Sequence, residues 1–211
     1  MSWWQESLLL LGVALVVSVA VKAFLVQMFF VPSTSMVPEL RISDRILVEK
    51  VSYWSDDVER GDVVVFRDPD SWLPTPPEPS PLQELLSLVG LYPEGGHLVK
   101  RVVGVGGDRV ACCDAEDRIT VNGRPVDESA YLPGRTEPSA KRFDVRVPEG
   151  SIWVMGDNRA NSQDSRFHMN DSGGGAVPVD HVVGRVWAVV WPAARWEVLE
   201  QPNTRATGSA R

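Results

Sequence analysis

Hydrophobic and polar positions follow two different rules along this chain. From Leu8 to Val21 the residues read "LLLLGVALVVSVAV", and after Lys22 the run "AFLVQMFFV" carries the apolar stretch on to Val31. The uninterrupted part falls short of the ~20 residues that a membrane-spanning helix needs, while the whole reach of about 24 residues suffices. A lysine near one end can carry its ammonium out to lipid headgroups, and Trp3 and Trp4 at the other end suit an interfacial aromatic belt. The competing reading is the apolar region of a cleaved export signal. The start "MSWWQE" holds no lysine or arginine and no A-x-A follows the run, so an uncleaved anchor over residues 1–31 is expected. The few nearby charges do not orient it.

Beyond Val31 the pattern changes to short alternating runs. "RILVEKV" (45–51), "DVVVF" (62–66), "HLVKRVVGV" (97–105), "RITVNGRPV" (118–126), "DVRVP" (144–148), "SIWVMGD" (151–157) and "VVGRVWAVVW" (182–191) read as strands bounded by Gly, Pro, Asp or Asn. Asn122-Gly123 between apolar residues signals a tight hairpin. A mainly β, antiparallel domain over residues 32–200 follows, behind one N-terminal transmembrane helix. The last run is too short, with Arg185 inside it, to be a second span. Residues 70–96 interrupt the pattern: "PTPPEPSP" cannot be a central strand, and the leucines of "LQELLSLVGL" fall at helical spacing. A surface insertion with a short packed helix is the plain reading, and a lid or membrane-contacting element the sharper one. Residues 201–211 are polar and expected to be disordered.

Composition adds limits. The 211 residues carry a formal net charge of −7 and no basic run, which disfavours a nucleic-acid partner. Cys112 and Cys113 are adjacent, without CxxC or Cys/His metal spacing. A vicinal pair closes only a strained ring, so free thiols are expected, with a bridge as the alternative.

The familiar catalytic signatures are missing. None of His97, His168 and His181 lies in an HExxH, and there is no G-x-S-x-G elbow. "GVGGD" (104–108) joins strand to strand and opens no helix, so it reads as a turn and not a phosphate loop. Three features remain. Ser35 in "VPSTSMVPEL" lies between Pro32 and Pro38, which stiffen the backbone; taken alone, such a stretch is a turn or helix cap more often than a nucleophile. Lys100 lies in an apolar strand, where alternation puts it on one face with Leu98, and Val99 with Arg101 on the other. It is either an edge-strand gatekeeper or, if buried, an amine whose pKa falls far enough to make it a base. "MGDNRANSQDSR" (155–166) gathers Asp157, Arg159, Asp164 and Arg166 around Ser162, as a salt-bridged loop; the interleaved arginines argue against calcium.

Jointly these elements resemble the bacterial type I signal peptidases, membrane-bound Ser/Lys proteases. The resemblance runs from the anchor through "VPSTSMVPEL", "RILVEKV", "RGDVVVF", "LVKRVVGVGGDRV" and "MGDNRANSQDSR" to "VVGRVWAVVWP", leaving out residues 70–96 and the tail. It implies a β-sheet catalytic domain of the type shared with self-cleaving repressors. It implies Ser35 as nucleophile and Lys100 as general base, with Ser33 and the Ser35 N–H forming an oxyanion hole. Ser162 would orient the lysine, and Arg101, Asp157, Asp164 and Arg166 would form a supporting charge cluster. Phe29, Val31, Pro32, Met36, Leu40, Ile46, Leu98 and Val99 would face a substrate added as a β-strand. The implied partners are exported preproteins, cut after A-x-A-type sites, and the lipid bilayer. No cofactor or metal is implied. The implied location is the bacterial plasma membrane, single-pass, with the catalytic domain on the extracytoplasmic side.

Three departures from the family pattern stand out. Thr34 replaces the more common glycine between the two serines, Ala160 stands where aspartate is common, and "FHMNDSGGGAVPVDHVVG" after Arg166 is longer and richer in glycine. The self-cleaving repressors also use Ser and Lys but are cytosolic and carry a DNA-binding module, which has no counterpart here. A non-catalytic, membrane-anchored binding module is the alternative from another class, and retention of Ser33, Ser35, Lys100 and Ser162 argues against it. A same-family peptidase with a narrow client set is not separable by sequence.

Overall fold

The structure is a computed structural model that describes residues 2–51, 53, 57–69, 72–74, 96–132 and 136–199, without the side chains of 19–24. The opening helix α1 is Trp3–Phe24, after which twelve strands follow among the described residues. They are β1 (Val26–Phe30), β2 (Arg45–Glu49), β3 (Val63–Arg67), β4 (His97–Val105), β5 (Arg109–Cys112) and β6 (Ile119–Val121), then β7 (Arg124–Pro125), β8 (Phe143–Arg146), β9 (Ser151–Met155), β10 (Val177–Pro178), β11 (Val182–Trp191) and β12 (Glu197–Val198). An eight-stranded sheet runs β1-β2-β11-β3-β4-β9-β10, with β12 added beside β11, and a four-stranded sheet runs β7-β6-β5-β8. Every pairing is antiparallel.

The fold is therefore mainly antiparallel β, and the predicted strands at 97–105 and 182–191 match β4 and β11 residue for residue. The hairpin signal holds too: Asn122 (φ 53°) and Gly123 (φ 76°) turn β6 into β7, both central residues taking the positive φ that such a turn requires. The "GVGGD" segment is a turn between β4 and β5, as expected.

The expected anchor over residues 1–31 needs correction at its end. The helix stops at Phe24, and Val26–Phe30 pairs with β2 in register from Val26 opposite Glu49 to Phe30 opposite Arg45. Phe29 and Val31 point into the core while Met28 and Phe30 stay exposed. Apolar residues on both faces of this strand hide its period of two. Among the described residues no helix is long and apolar enough to cross a membrane. Trp3, Trp4 and Leu8 to Leu11 are all exposed. The Pro-rich insertion between 75 and 95 and the tail from 200 lie outside the described residues.

Strand β3 divides the core. Val63 and Val65 join one cluster with Phe29, Met36, Leu40, Ile46 and Val189, while Val64 and Phe66 join another with Leu98, Val102, Ile152 and Val154. This two-sided burial explains why β3, read above among the alternating runs, is apolar at every position from Val63 to Phe66. A third cluster, around Val110, Ile119, Phe143, Trp153 and Met155, welds the small sheet to β4 and β9. Cys112 belongs to it and is bonded to Cys113, against the expectation of free thiols; the bridge alternative is the one observed.

Candidate active site

The segment between β1 and β2 forms a closed corner. Its base is sealed by reciprocal backbone bonds, the Val31 N–H to the Asp44 carbonyl at 2.9 Å and the Ser43 N–H to the Val31 carbonyl at 3.0 Å. Asp44 is held in turn by Arg195 at 2.9 Å. Met36 and Leu40 plug the corner into the core from below, each burial contributing about 2 kcal/mol. What remains on top is Ser33, Thr34 and Ser35, with Ser33 Oγ 3.2 Å from Ser35 Oγ.

Lys100 approaches that corner from β4, a central strand between β3 and β9, so the gatekeeper alternative fails. Only 4% of the residue is exposed. Its Nζ donates to Ser35 Oγ at 2.8 Å and to the Val99 carbonyl at 3.0 Å. Among the described residues it has no salt-bridge partner. Burial lowers its pKa from 10.5 to about 8; Asp164 and Asp157 pull it back up, and Arg166 pushes it down. Such a lysine loses its proton far more readily than one at the surface.

The loop after β9 supplies the frame. Arg101 binds both oxygens of Asp157 at 2.8 Å and the Gly61 carbonyl at 2.9 Å. Arg166 binds both oxygens of Asp164, at 2.8 and 2.7 Å, and Asp164 accepts the Gly156 N–H at 2.9 Å. Burial alone would raise the Asp164 pKa, but its bonds to Arg166 and Gly156 outweigh that and hold it below the ordinary carboxylate value. The two carboxylates and two guanidiniums thus cancel within the protein, as buried charges must. The predicted cluster is brought together in full. Ser162 is the exception: the expected bond to Lys100 is not formed, although the ammonium keeps a third N–H beyond those to Ser35 and Val99, and Ser162 helps hold the Asp164 carboxyl low. Ser162 Oγ is instead buried beside Gly156.

Two asparagines of the same loop hold the serine corner, a role that sequence reading missed. The Asn158 N–H donates to the Ser35 carbonyl at 3.0 Å, and its side chain to the Thr34 carbonyl at 3.1 Å. Asn161 donates to Thr34 Oγ1 at 3.0 Å, so the threonine standing in place of glycine gains a tether. Their position inside "GDNRAN" was the available signal.

Comparison with known proteins decides the family. The model described as "Signal peptidase, peptidase S26" matches residues 4–191. The chain belongs to this family. It is 37% identical over 226 residues to the signal peptidase I of Mycobacterium tuberculosis, covering 94% of this chain and 76% of that one. It is also 34% identical over 200 residues to a probable signal peptidase I-1 of Synechocystis, covering 93% and 88%. Among solved structures, a signal peptidase I from Enterococcus faecalis matches with a TM-score of 0.40 and 23% identity, over 62% of this chain and 97% of that one.

Within this S26 family member, the residues expected to face substrate divide into groups. Phe29, Val31, Met36, Leu40 and Ile46 share one cluster, with Val99 packed against it. Leu40 and Ile46 have no exposed surface, so they belong to the core and cannot themselves face a substrate. Leu98 points to the opposite face of the sheet, among Phe66 and Trp72, as the alternation of β4 requires. Pro32 is exposed beside Ser33. No group of His, Cys, Asp and Glu able to hold a metal occurs among the described residues.

Proposed function

We propose that this chain is a membrane-anchored serine endopeptidase that removes N-terminal signal peptides from exported preproteins after A-x-A-type sites. Ser35 is the nucleophile and Lys100 the general base. The carrying observation is the 2.8 Å contact between Ser35 Oγ and a buried lysine whose pKa lies near 8. A neutral amine there accepts the Ser35 proton as Oγ bonds to the scissile carbonyl carbon. The carbonyl electron pair moves onto its oxygen, which the Ser33 hydroxyl and the Ser35 N–H receive; among the described residues that N–H has no other partner. The Lys100 ammonium then hands its proton to the departing amine as the C–N bond breaks. Water, deprotonated by the same lysine, releases the acyl group and restores Ser35.

The fold suits an extended substrate. Val99 is half-buried on the β4 face beside Lys100 and Ser35, packed on the core cluster of Phe29, Val31, Met36, Leu40 and Ile46. A peptide lying there as an added strand would place alternate side chains toward that face. Arg101, Asp157, Asp164 and Arg166 hold the site from behind without touching the reacting atoms, and Ser162 fills the space beside Gly156.

For the membrane, the support is α1 itself. Its 22 residues would extend about 33 Å, comparable to the ~30 Å hydrocarbon core of a bilayer. Leu8, Leu9, Leu10, Leu11, Leu15 and Val16 are exposed along it. An anchor at residues 3–24 delivers β1, and with it Ser35, to the bilayer surface on the extracytoplasmic side.

The test is incubation of the full chain, in detergent, with a preprotein carrying an A-x-A signal site, and mass-spectrometric location of the cut. Cleavage after the second alanine is expected. Failure of the folded protein to cut this or any other exported preprotein would reject the reading.

A further inference from the structure

Glu128 lies outside every motif in the sequence, yet it reaches the back of the catalytic loop. Arg159 has a side chain only 1% exposed, and the Glu128 side chain is 10% exposed. Arg159 Nη2 donates to Glu128 Oε1 at 2.5 Å and Nη1 to Oε2 at 3.2 Å. Arg159 also binds the Gly156 carbonyl at 3.0 Å and the Pro138 carbonyl at 3.3 Å. Without Glu128 this guanidinium would be buried with no free counter-ion among the described residues, because Asp157 is occupied by Arg101 and Asp164 by Arg166. Ala160 offers none. A buried charge left unpaired is strongly unfavourable, so Arg159 would turn toward Asp157 and compete with Arg101.

The consequence reaches the serine. Arg159 holds the 156–161 turn from behind, and its neighbour Asn158 holds Ser35 from in front, through the 3.0 Å bond to the Ser35 carbonyl. Glu128 bears on Arg101 as well: Tyr131 donates its hydroxyl to Glu128 Oε1 at 2.9 Å, and its ring lies 4.0 Å from the Arg101 guanidinium. One short segment of the chain between β7 and β8 therefore steadies both arginines that flank Lys100 and Asn158.

We propose that Glu128 is a positioning residue for the Ser35–Lys100 pair, acting through Arg159 and Asn158. The inference rests on the proteolytic reading above. Glu128→Gln keeps the side chain's shape and removes its charge, and the full chain in detergent is assayed beside wild type on the A-x-A substrate. The variant is expected to lose kcat by on the order of tenfold or more, with KM within about twofold, since a small misplacement of the nucleophile acts on the chemical step. Hydrogen exchange at the Asn158 amide is expected to accelerate by about tenfold or more, while amides of β4 and β9 keep wild-type protection, the mark of a local opening.

Unchanged kcat and unchanged Asn158 exchange would overturn the inference. So would faster exchange spread evenly over β4 and β9 with wild-type kcat per active molecule, which marks a contribution to overall stability alone. Should Glu128→Gln fail to fold, Glu128→Gln with Arg159→Gln removes both charges at once. This pair is expected to fold with low kcat and fast Asn158 exchange; wild-type kcat, or failure to fold, would overturn the inference. If wild type cuts and Glu128→Gln cuts equally well, only this inference falls; if folded wild type does not cut, the proteolytic reading falls and takes this one with it.

Discussion

Lys100 Nζ donates to Ser35 Oγ at 2.8 Å across 65 residues of sequence. Two parts of the fold create that contact. The corner between β1 and β2 fixes Ser35, and the central strand β4 delivers Lys100 with almost no exposure to water. In this contact the ammonium is the donor. Loss of its proton reverses the bond, leaving the serine hydroxyl to donate into a lone pair, which is the arrangement a nucleophile needs.

The pH dependence follows with a definite sign. The folded chain holds the Lys100 proton only up to about pH 8, whereas the unfolded chain holds it up to 10.5. Between those values unfolding takes up a proton, so stability rises with pH; below about 8 the full cost of burying the ammonium is present, on the order of 3 kcal/mol. Denaturant titrations at pH 7.5 and 9.5 are expected to show that rise in wild type and not in Lys100→Met. The kcat/KM profile is expected to climb through an apparent pKa near 8, and a limb near 10.5 would contradict the burial argument.

Gly156→Ala tests the closeness of the frame. A Cβ at this position would meet Ser162 Oγ and, at 2.5 Å, the Ser35 carbonyl oxygen. Relieving that overlap must move the loop or the serine corner. The expected cost is about 1–3 kcal/mol of stability. Cleavage is expected to fall by about a hundredfold, measured by peptide assay beside a thermal melt.

Much of the fold was legible because β4 and β11 carry strong apolar patterns bounded by turn residues, and because Asn122-Gly123 permits few other conformations. Strand β1 was not legible: apolar side chains on both of its faces made it look like the end of the anchor. Lys100 and Ser35 could be read only together, since each alone has a commoner structural meaning. The bond expected between Ser162 and Lys100 is not formed, since whether two side chains from different elements come within hydrogen-bond reach is a matter of ångströms that spacing does not encode. Glu128 had no local signal at all. Its meaning comes from a contact across 31 residues with a guanidinium whose own loop offers no spare carboxylate.

Ser33→Ala removes the hydroxyl that lies 3.2 Å from Ser35 Oγ. If that hydroxyl receives the developing oxyanion, kcat is expected to fall by about 10²–10³ with KM little changed. Ser33→Thr, which keeps the hydroxyl, is expected to retain most of the rate. Equal losses in both variants would remove Ser33 from that role.

Asp157→Asn breaks the buried pair with Arg101 and leaves a guanidinium without its charge partner. The expected destabilisation is about 3–5 kcal/mol, read from denaturant unfolding. A loss under ~1 kcal/mol, as for a surface ion pair, would mean that Asp157 does not carry the charge balance described.

The central claim is that Ser35 and Lys100 together perform the cleavage. Its most direct test compares wild type, Ser35→Ala and Lys100→Ala, each confirmed as folded, on one peptide spanning an A-x-A site, with products located by mass spectrometry. The account predicts a single cut after the second alanine by wild type and none above background by either variant. Cleavage at the same bond by Ser35→Ala would contradict it.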